Sequence, residues 1–379
     1  MFHTITISHI VPYDYRTNTN RIIFEQLENE YGVTINERRG KYKKLSLSPC
    51  IGIWIDFWKI NMDAFPVNMD YKYFINIYFN PLEMITSSRI HNTNELDIPL
   101  IREKFNDALR YVSNDFMDFN DWQVKRIDYA SYFLSEYHYE YIELFKKSKL
   151  PLKVKKLEYE GSMYYRNKSR TYNFYSKQFH TEHHKKFSEE EKAQANDYVR
   201  IEVQYKYNPI RSIQKKNNMS DRTVKNILSG RIALEEITNA YNKCICKGDF
   251  YKLKTAQRRI DKSDYTDATK EKLKDFLVYL RKRKYSNLNE AKADFMKAMN
   301  KSVATFDDWI AKLESININP VTLPDDFPVP VLANQLDVIR KNIIGSSYFL
   351  DNNTDIDWLE NSDMEIIRNY PLIGNDISI

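Results

Sequence analysis

The sequence predicts an α+β fold: an N-terminal domain on a largely antiparallel β-sheet with flanking helices, then an all-helical C-terminal domain and an acidic tail. Three features point there. Short segments alternate apolar and polar residues with period two up to about residue 206. Helical spacing takes over beyond Tyr207-Asn208-Pro209. From Val321 to Ile379 the chain carries ten acids against three bases. The expected bounds are 1–206, 207–318 and 319–379. The 379 residues are 42% hydrophobic, with 28 Tyr and 20 Phe against 8 Gly, enough for two domains, or one with an appendage, around packed aromatic-rich cores.

Alternation makes Thr4–Ile10 the first strand, and Arg21–Tyr31 has the spacing of a helix. Strands follow at Leu45–Phe57 and Tyr73–Phe79, a helix at Ile101–Asn114, a strand at Val124–Leu134 and a helix at Glu136–Lys147. Ser162–Tyr165, Thr171–Lys177 and Tyr198–Tyr205 complete the predicted strands. Ser220 is a candidate cap for a helix through Val224 and Ile227 to Leu228, with Gly230 as its stop. Further helices are expected at Ala233–Cys244, Thr269–Arg283, Leu288–Met299 and Thr305–Leu313, before Pro320 to Pro330 closes the helical region.

The three cysteines are Cys50, Cys244 and Cys246; the close pair is too tight for ordinary disulfide geometry, and no second cluster completes a zinc site. No basic region with an apolar core opens the chain, and no run approaches the ~18 apolar residues of a membrane span. The expectation is a soluble, cytoplasmic protein with no membrane partner.

The net charge of +5 is unevenly placed. Tyr141 to Phe187 holds twelve Lys or Arg and four acids, and Lys206 to Arg231 holds seven bases and one acid. A basic middle suggests a polyanionic partner; the competing reading is a solvated lysine-rich face. Lys168, Lys215, Lys216, Arg222 and Lys225 are the candidates for contact with nucleic-acid phosphates.

Period two gathers polar groups on three strands: Arg126 with Asp128, Asn173 with Tyr175 and Lys177, and Arg200 with Glu202 and Gln204. The bland alternative is the solvated side of an antiparallel sheet. The combination suits phosphodiester transesterification, which needs a nucleophile and charge to meet the phosphate. A tyrosine hydroxyl, with a reference pKa of about 10, needs activation. Asp128 and Glu202 are hard oxygen ligands suited to Mg²⁺ or Mn²⁺, and Lys177 and Arg170 suit a phosphate or a phenolate.

The order of these segments, Arg126-Ile127-Asp128, then Arg170-Thr171-Tyr172-Asn173-Phe174-Tyr175-Ser176-Lys177, then Val199-Arg200-Ile201-Glu202, resembles the filamentous-phage gene II replication endonuclease family. The similarity extends from Gly52–Trp58 and Phe74–Pro81 to about Pro320, and plasmid trans-acting initiators look distantly similar. It implies a rolling-circle DNA replication initiator in a bacterial host cell. Tyr175 would nick an origin strand, keep a 5′-phosphotyrosyl link, leave a 3′-hydroxyl primer and later rejoin the strand. Lys177 and Arg170 match that motif, and Arg126 and Arg200 are expected at the DNA. Origin DNA, a host helicase and a DNA polymerase are the implied partners. The chain departs from the family at Asn76, where relatives can carry Glu; Asp56 on the preceding strand is a substitute metal ligand.

Other readings stay open. A mobilisation relaxase would use the same chemistry, a regulator would bind DNA without cutting it, and an RNA-binding protein would stack bases on its tyrosines. His180-Thr181-Glu182-His183-His184 is expected to be a solvated loop, Tyr172 to be core, and Tyr164 and Tyr165 to be reserve nucleophiles. Leu288–Met299 and Thr305–Leu313 could form a helix-turn-helix, but Asp307 and Asp308 would face DNA phosphates.

Overall fold

The computed structural model describes residues 1–10, 19–31, 42–61, 71–86, 89–184, 187–282, 285–299 and 302–346. In chain order the elements begin β1 (Phe2–Ile10), α1 (Thr19–Tyr31), β2 (Tyr42–Cys50), β3 (Ile53–Asn61), β4 (Tyr71–Phe79), α2 (Pro81–Ile85), α3 (Ile98–Val112), β5 (Gln123–Leu134), α4 (His138–Lys146), β6 (Lys155–Tyr159) and β7 (Ser162–Arg166). They continue with β8 (Arg170–Ser176), α5 (Lys177–Glu182), α6 (Glu189–Gln194), β9 (Tyr198–Tyr205), α7 (Tyr207–Lys216), α8 (Val224–Ile227), α9 (Gly230–Cys244) and β10 (Phe250–Tyr251). The last are α10 (Leu253–Asp261), α11 (Asp267–Lys282), α12 (Leu288–Ala298), α13 (Val303–Ser315), β11 (Val331–Leu332) and α14 (Leu336–Ile344). The fold is α+β with antiparallel strands, flanking helices and a mostly helical C-terminal half, as the periodicities predict.

The chain divides into two compact units, Met1–Ala130 with Gln204–Leu234 and Ile343–Ile379, and Ser131–Val203 with Glu235–Asn342. In the first, the strands lie in the order β2-β3-β4-β1-β5, and every neighbouring pair is antiparallel. Alternation divides this sheet into two faces. Ile5, Ile7, Ile53, Ile55, Phe57, Tyr73, Ile75, Ile77 and Phe79 form an apolar face. Phe24 of α1 meets the Tyr73 ring and Phe105 of α3 meets Phe79, so both helices cover that face. The other face displays Thr6, Ser8, Asp56, Asn76 and a set of aromatic rings.

Where one strand is expected over Leu45–Phe57 there are two, β2 and β3, joined at Ile51-Gly52. The hairpin pairs Leu47 with Ile55 and Leu45 with Phe57, so the odd residues stay on one face through the turn and the alternation reads as unbroken. Gly52, at φ +80°, supplies the turn.

In the second unit the order is β9-β8-β7-β6, with β6·β7 and β7·β8 antiparallel. Phe145, Phe174, Tyr241 and Phe250 pack around one another, with Phe145 and Phe174 centroids 5.8 Å apart. Strand β6 escapes sequence reading because Lys155-Lys156-Leu157-Glu158-Tyr159 lies at the sheet edge, where none of its residues is fully buried and no apolar alternation marks a face. Helices α11, α12 and α13 meet through Phe276, Phe295, Phe306 and Trp309, with ring centroids 5.2–5.5 Å apart. Phe306 and Trp309 are thereby part of a helical core; the turn at 300–301 lies outside the described residues.

Two local expectations need correction. The helix begins not at Ser220 but at Val224, because the Asp221 carboxylate accepts from Thr223 N, Thr223 Oγ1 and Asn226 Nδ2 and holds this stretch in a side-chain turn. Gly230 starts α9 instead of stopping a helix. Residues 319–346 are packed: Asn319 donates to Cys246 O at 2.8 Å, β11 pairs with β10, and Ile339 is buried. Lys185, Lys186 and residues 347–379 lie outside the described residues.

Gly248 carries a local constraint of the second unit. Its φ is +86°, and a Cβ there would lie 2.6 Å from the Ile318 carbonyl carbon and 2.7 Å from its nitrogen. Gly248→Ala should cost about 2 kcal/mol or more, from left-handed strain plus the backbone clash. Urea unfolding with an unchanged midpoint would count against it.

Candidate active site

Strands β8 and β9 bring together three of the residues read from the sequence. Tyr175 Oη donates to Glu202 Oε1 at 2.8 Å, and Arg200 Nε stands 3.2 Å from the same oxygen. The cluster is enclosed: Tyr175 is 6% exposed, Arg200 0% and Glu202 4%. Arg200 and Glu202 share a side of β9 because they are two residues apart, while Val199, Ile201 and Val203 fill the other side.

The electrostatics follow from that enclosure. Burial holds the Tyr175 phenol well above the ordinary tyrosine value; the Arg200 charge opposes this, and the Glu202 carboxylate, by charge and by hydrogen bond, reinforces it. Burial alone would lower Arg200, but Tyr175, Glu202 and Tyr198 more than offset it and hold the guanidinium charged. The arrangement keeps a neutral phenol next to a carboxylate that accepts its hydrogen bond and a cation that favours the phenolate.

The neighbours are partly as expected. Tyr164 pairs across strands with Asn173, and its hydroxyl is raised by burial and then by the Glu202 charge, which places it at the same cluster. Tyr165 points away and donates to Lys149 O at 2.8 Å, and Tyr172 is buried. Lys177 is the first residue of α5 and not the end of a strand, because Ser176 caps that helix by accepting from Phe179 N at 3.0 Å. Its buried Nζ lies 5.2 Å over the Phe187 ring. The expected solvated loop at 180–184 is in large part this helix, and His180 packs 5.6 Å from the Tyr175 ring. Arg170 lies two residues from Tyr172, with Nη1 3.4 Å from its hydroxyl, and so is on the opposite side of β8 from Tyr175.

In the first unit, Asp128 gives both carboxylate oxygens to Arg126, at 2.9 Å from Nε and 2.6 Å from Nη2. Asp56 is held by Lys44 at 2.9 Å and Ser46 at 2.7 Å. Asn76 accepts from Lys125 at 2.9 Å, and burial lowers the Lys125 pKa. The three carboxylates expected to ligate Mg²⁺ or Mn²⁺ thus each face a cation of the chain. Among the described residues no three His, Cys, Asp or Glu side chains form a group suited to a metal ion. With each carboxylate already met by a cation of its own unit, the donors present do not fit a divalent ion.

The residues expected at DNA fall into two groups. Lys168, Lys215, Lys216 and Lys225 are exposed, and Arg222 lies 4.4 Å over the Tyr207 ring. Arg200 is fully enclosed and Arg126 is committed to Asp128. The i, i+2 spacing of both arginines from acids signals an in-strand ion pair as readily as a phosphate contact. Among the described residues no helix is long and apolar enough to cross a membrane.

Two measurements test the cluster. Arg200→Met leaves Glu202 buried without its cation and should cost about 3–5 kcal/mol, whereas Arg200→Met with Glu202→Gln should cost less than the sum of the single changes. Additive losses in urea unfolding would dissolve the pair. Tyr175 is raised, and burial pushes Tyr141 up to about 12. A tyrosine raised in the folded state binds its proton more tightly there, so its stabilisation is complete below pH ~10 and is lost as pH rises toward the folded value. Stability should therefore fall between pH ~10 and ~12; a flat profile would contradict these burials.

No protein family and no curated protein matches the chain. A solved structure similar to it is that of a rolling circle replication initiator protein from Geobacillus stearothermophilus, with 9% identity and a TM-score of 0.29, covering 64% of this chain and 84% of that one. A likeness this slight carries no argument about fold or function.

Proposed function

We propose that the chain is a rolling-circle DNA replication initiator, a strand-specific origin endonuclease whose nucleophile is Tyr175. The observation that carries this reading is the phenol of Tyr175 donating to Glu202 beside Arg200. The ordered segments around Arg126-Ile127-Asp128, Arg170 to Lys177 and Val199 to Glu202 support it.

In the proposed reaction the phenol's proton passes to Glu202 as Oη attacks the scissile phosphorus. The Oη–P bond forms and the P–O3′ bond breaks. The 3′ oxygen leaves with that electron pair and takes the proton from Glu202, giving a free 3′-hydroxyl. Arg200 offsets the charge of the developing phenolate and of the phosphate. The phosphotyrosyl bond retains the energy of the bond it replaced, so attack by a 3′-hydroxyl rejoins the strand without a nucleotide cofactor. A polymerase extends the primer and a separate helicase opens the duplex, since no ATP-binding loop is legible in the sequence.

One observation favours a second reading, a DNA-binding regulator that does not cut: Tyr175 is 6% exposed, so a phosphate reaches it only after the cover over the phenol opens. Supercoiled DNA carrying the cognate origin separates the two. Wild type, with Mg²⁺ and with EDTA in parallel, should give nicked circles and protein-linked 5′ ends, and Tyr175→Phe should lose both by about a thousandfold or more. Equal nicking by the variant would remove Tyr175 from the reaction. No nicking by wild type in either condition would leave the regulator.

A further inference from the structure

The first unit holds a surface that this chemistry does not use. Across β3 and β4, the register sets Trp54 beside Tyr78 and Trp58 beside Phe74, on the face opposite the one that α1 and α3 cover. Trp54 is 47% exposed and Tyr78 37%. Trp58 and Phe74 stack on each other, their planes 6° apart and their centroids separated by 5.7 Å. Four residues of strand, about 13 Å, separate the two aromatic rows.

The cations on this face are placed against those rings. Lys44 Nζ lies 5.4 Å over Trp58 and Lys125 Nζ lies 5.3 Å over Phe74. Lys44 meets Asp56, which leaves that carboxylate neutralised in the middle of the face. Lys125 touches the amide oxygen of Asn76, and among the described residues no carboxylate pairs with it. A half-buried ammonium that meets an amide oxygen and a ring, with no carboxylate against it among the described residues, is a site for an anion.

We propose that this face binds single-stranded DNA, with bases stacked on the exposed rings of Trp54 and Tyr78 and phosphates at Lys44 and Lys125, which the Trp58–Phe74 pair holds in place. Exposed rings interleaved with lysines match a strand whose bases are splayed out and whose backbone is anionic. A duplex does not fit, because its base faces are already stacked on one another. Exposed Arg211, Lys215, Lys216 and Lys225 of the same unit add a long-range attraction. The choice of DNA over RNA rests on the function proposed above; the choice of a single strand rests on the rings.

The test is fluorescence anisotropy of the full chain with a labelled oligothymidylate of about sixteen nucleotides, its duplex, and oligouridylate. Trp54→Ala and Tyr78→Ala, both at exposed positions, should each weaken oligothymidylate binding about tenfold. Trp54→Phe should restore most of the loss. Tyr111→Ala, an exposed tyrosine on the helix over the other face, should bind as wild type does. Unchanged affinity in the Trp54→Ala, Tyr78→Ala double variant overturns the proposal, as does duplex or oligouridylate bound more tightly than oligothymidylate. Ring-dependent binding by a protein that never nicks would uphold this surface and remove Tyr175 as nucleophile. Nicking by a protein whose ring variants bind normally would do the reverse.

Discussion

The ion pair between Arg200 and Glu202 is the constraint on which the second unit's sheet depends. Strand β9 is buried on both sides, one apolar through Val199, Ile201 and Val203 and one ionic. A guanidinium with no exposed surface is tolerated only with an anion and hydrogen-bond acceptors at hand. Glu202 supplies the anion, and Tyr175 occupies the carboxylate further at 2.8 Å. A one-residue slip of β9 would drive Arg200 into the side where the isoleucine and valines now sit and strand Glu202 on the wrong face. The pair therefore fixes register as well as charge, and with it the place of the phenol between β8 and β9.

Much of the first unit was legible because its sheet obeys a single period. Thr4–Ile10, Tyr73–Phe79 and Val124–Leu134 lie within strands, and the apolar positions point to α1 and α3. The alternation failed where parity carried no information: the turn at Ile51-Gly52 preserves odd and even, so one strand could not be told from two. It failed again at β6, whose exposed edge position allows any composition, and at Lys177, where a serine cap converts strand to helix within one residue.

At the candidate site, neighbourhood within a strand was legible and role was not. Period two correctly sets Arg126 beside Asp128 and Arg200 beside Glu202, but it cannot say whether such acids converge on an ion or turn to the arginine two residues away. In both strands the arginine is the partner. Arg170 and Tyr175 differ in parity, which already separates them across β8. The aromatic face was missed for a different reason. In Ile53-Trp54-Ile55-Asp56-Phe57-Trp58 bulky residues occupy both parities, and a strand written that way reads as buried on both sides.

Charge conservation explains how so enclosed a cluster serves the proposed reaction. Before attack, the Arg200 cation is balanced by the Glu202 carboxylate, and the phenol is neutral. When the proton moves from Tyr175 to Glu202, the carboxyl becomes neutral and the negative charge passes to the phenolate and then to the phosphate. The buried cation keeps a close anion at every stage; the bound phosphodiester adds a negative charge of its own, so two negative charges stand beside the one guanidinium throughout, gathered on the phosphorus centre during attack and shared again with Glu202 once the 3′ oxygen has taken the proton. The same reasoning explains why the phenol can be held high at rest without loss of function. Its acidity is set by which anion Arg200 faces, and an arriving phosphate supplies the replacement at the moment Glu202 accepts the proton.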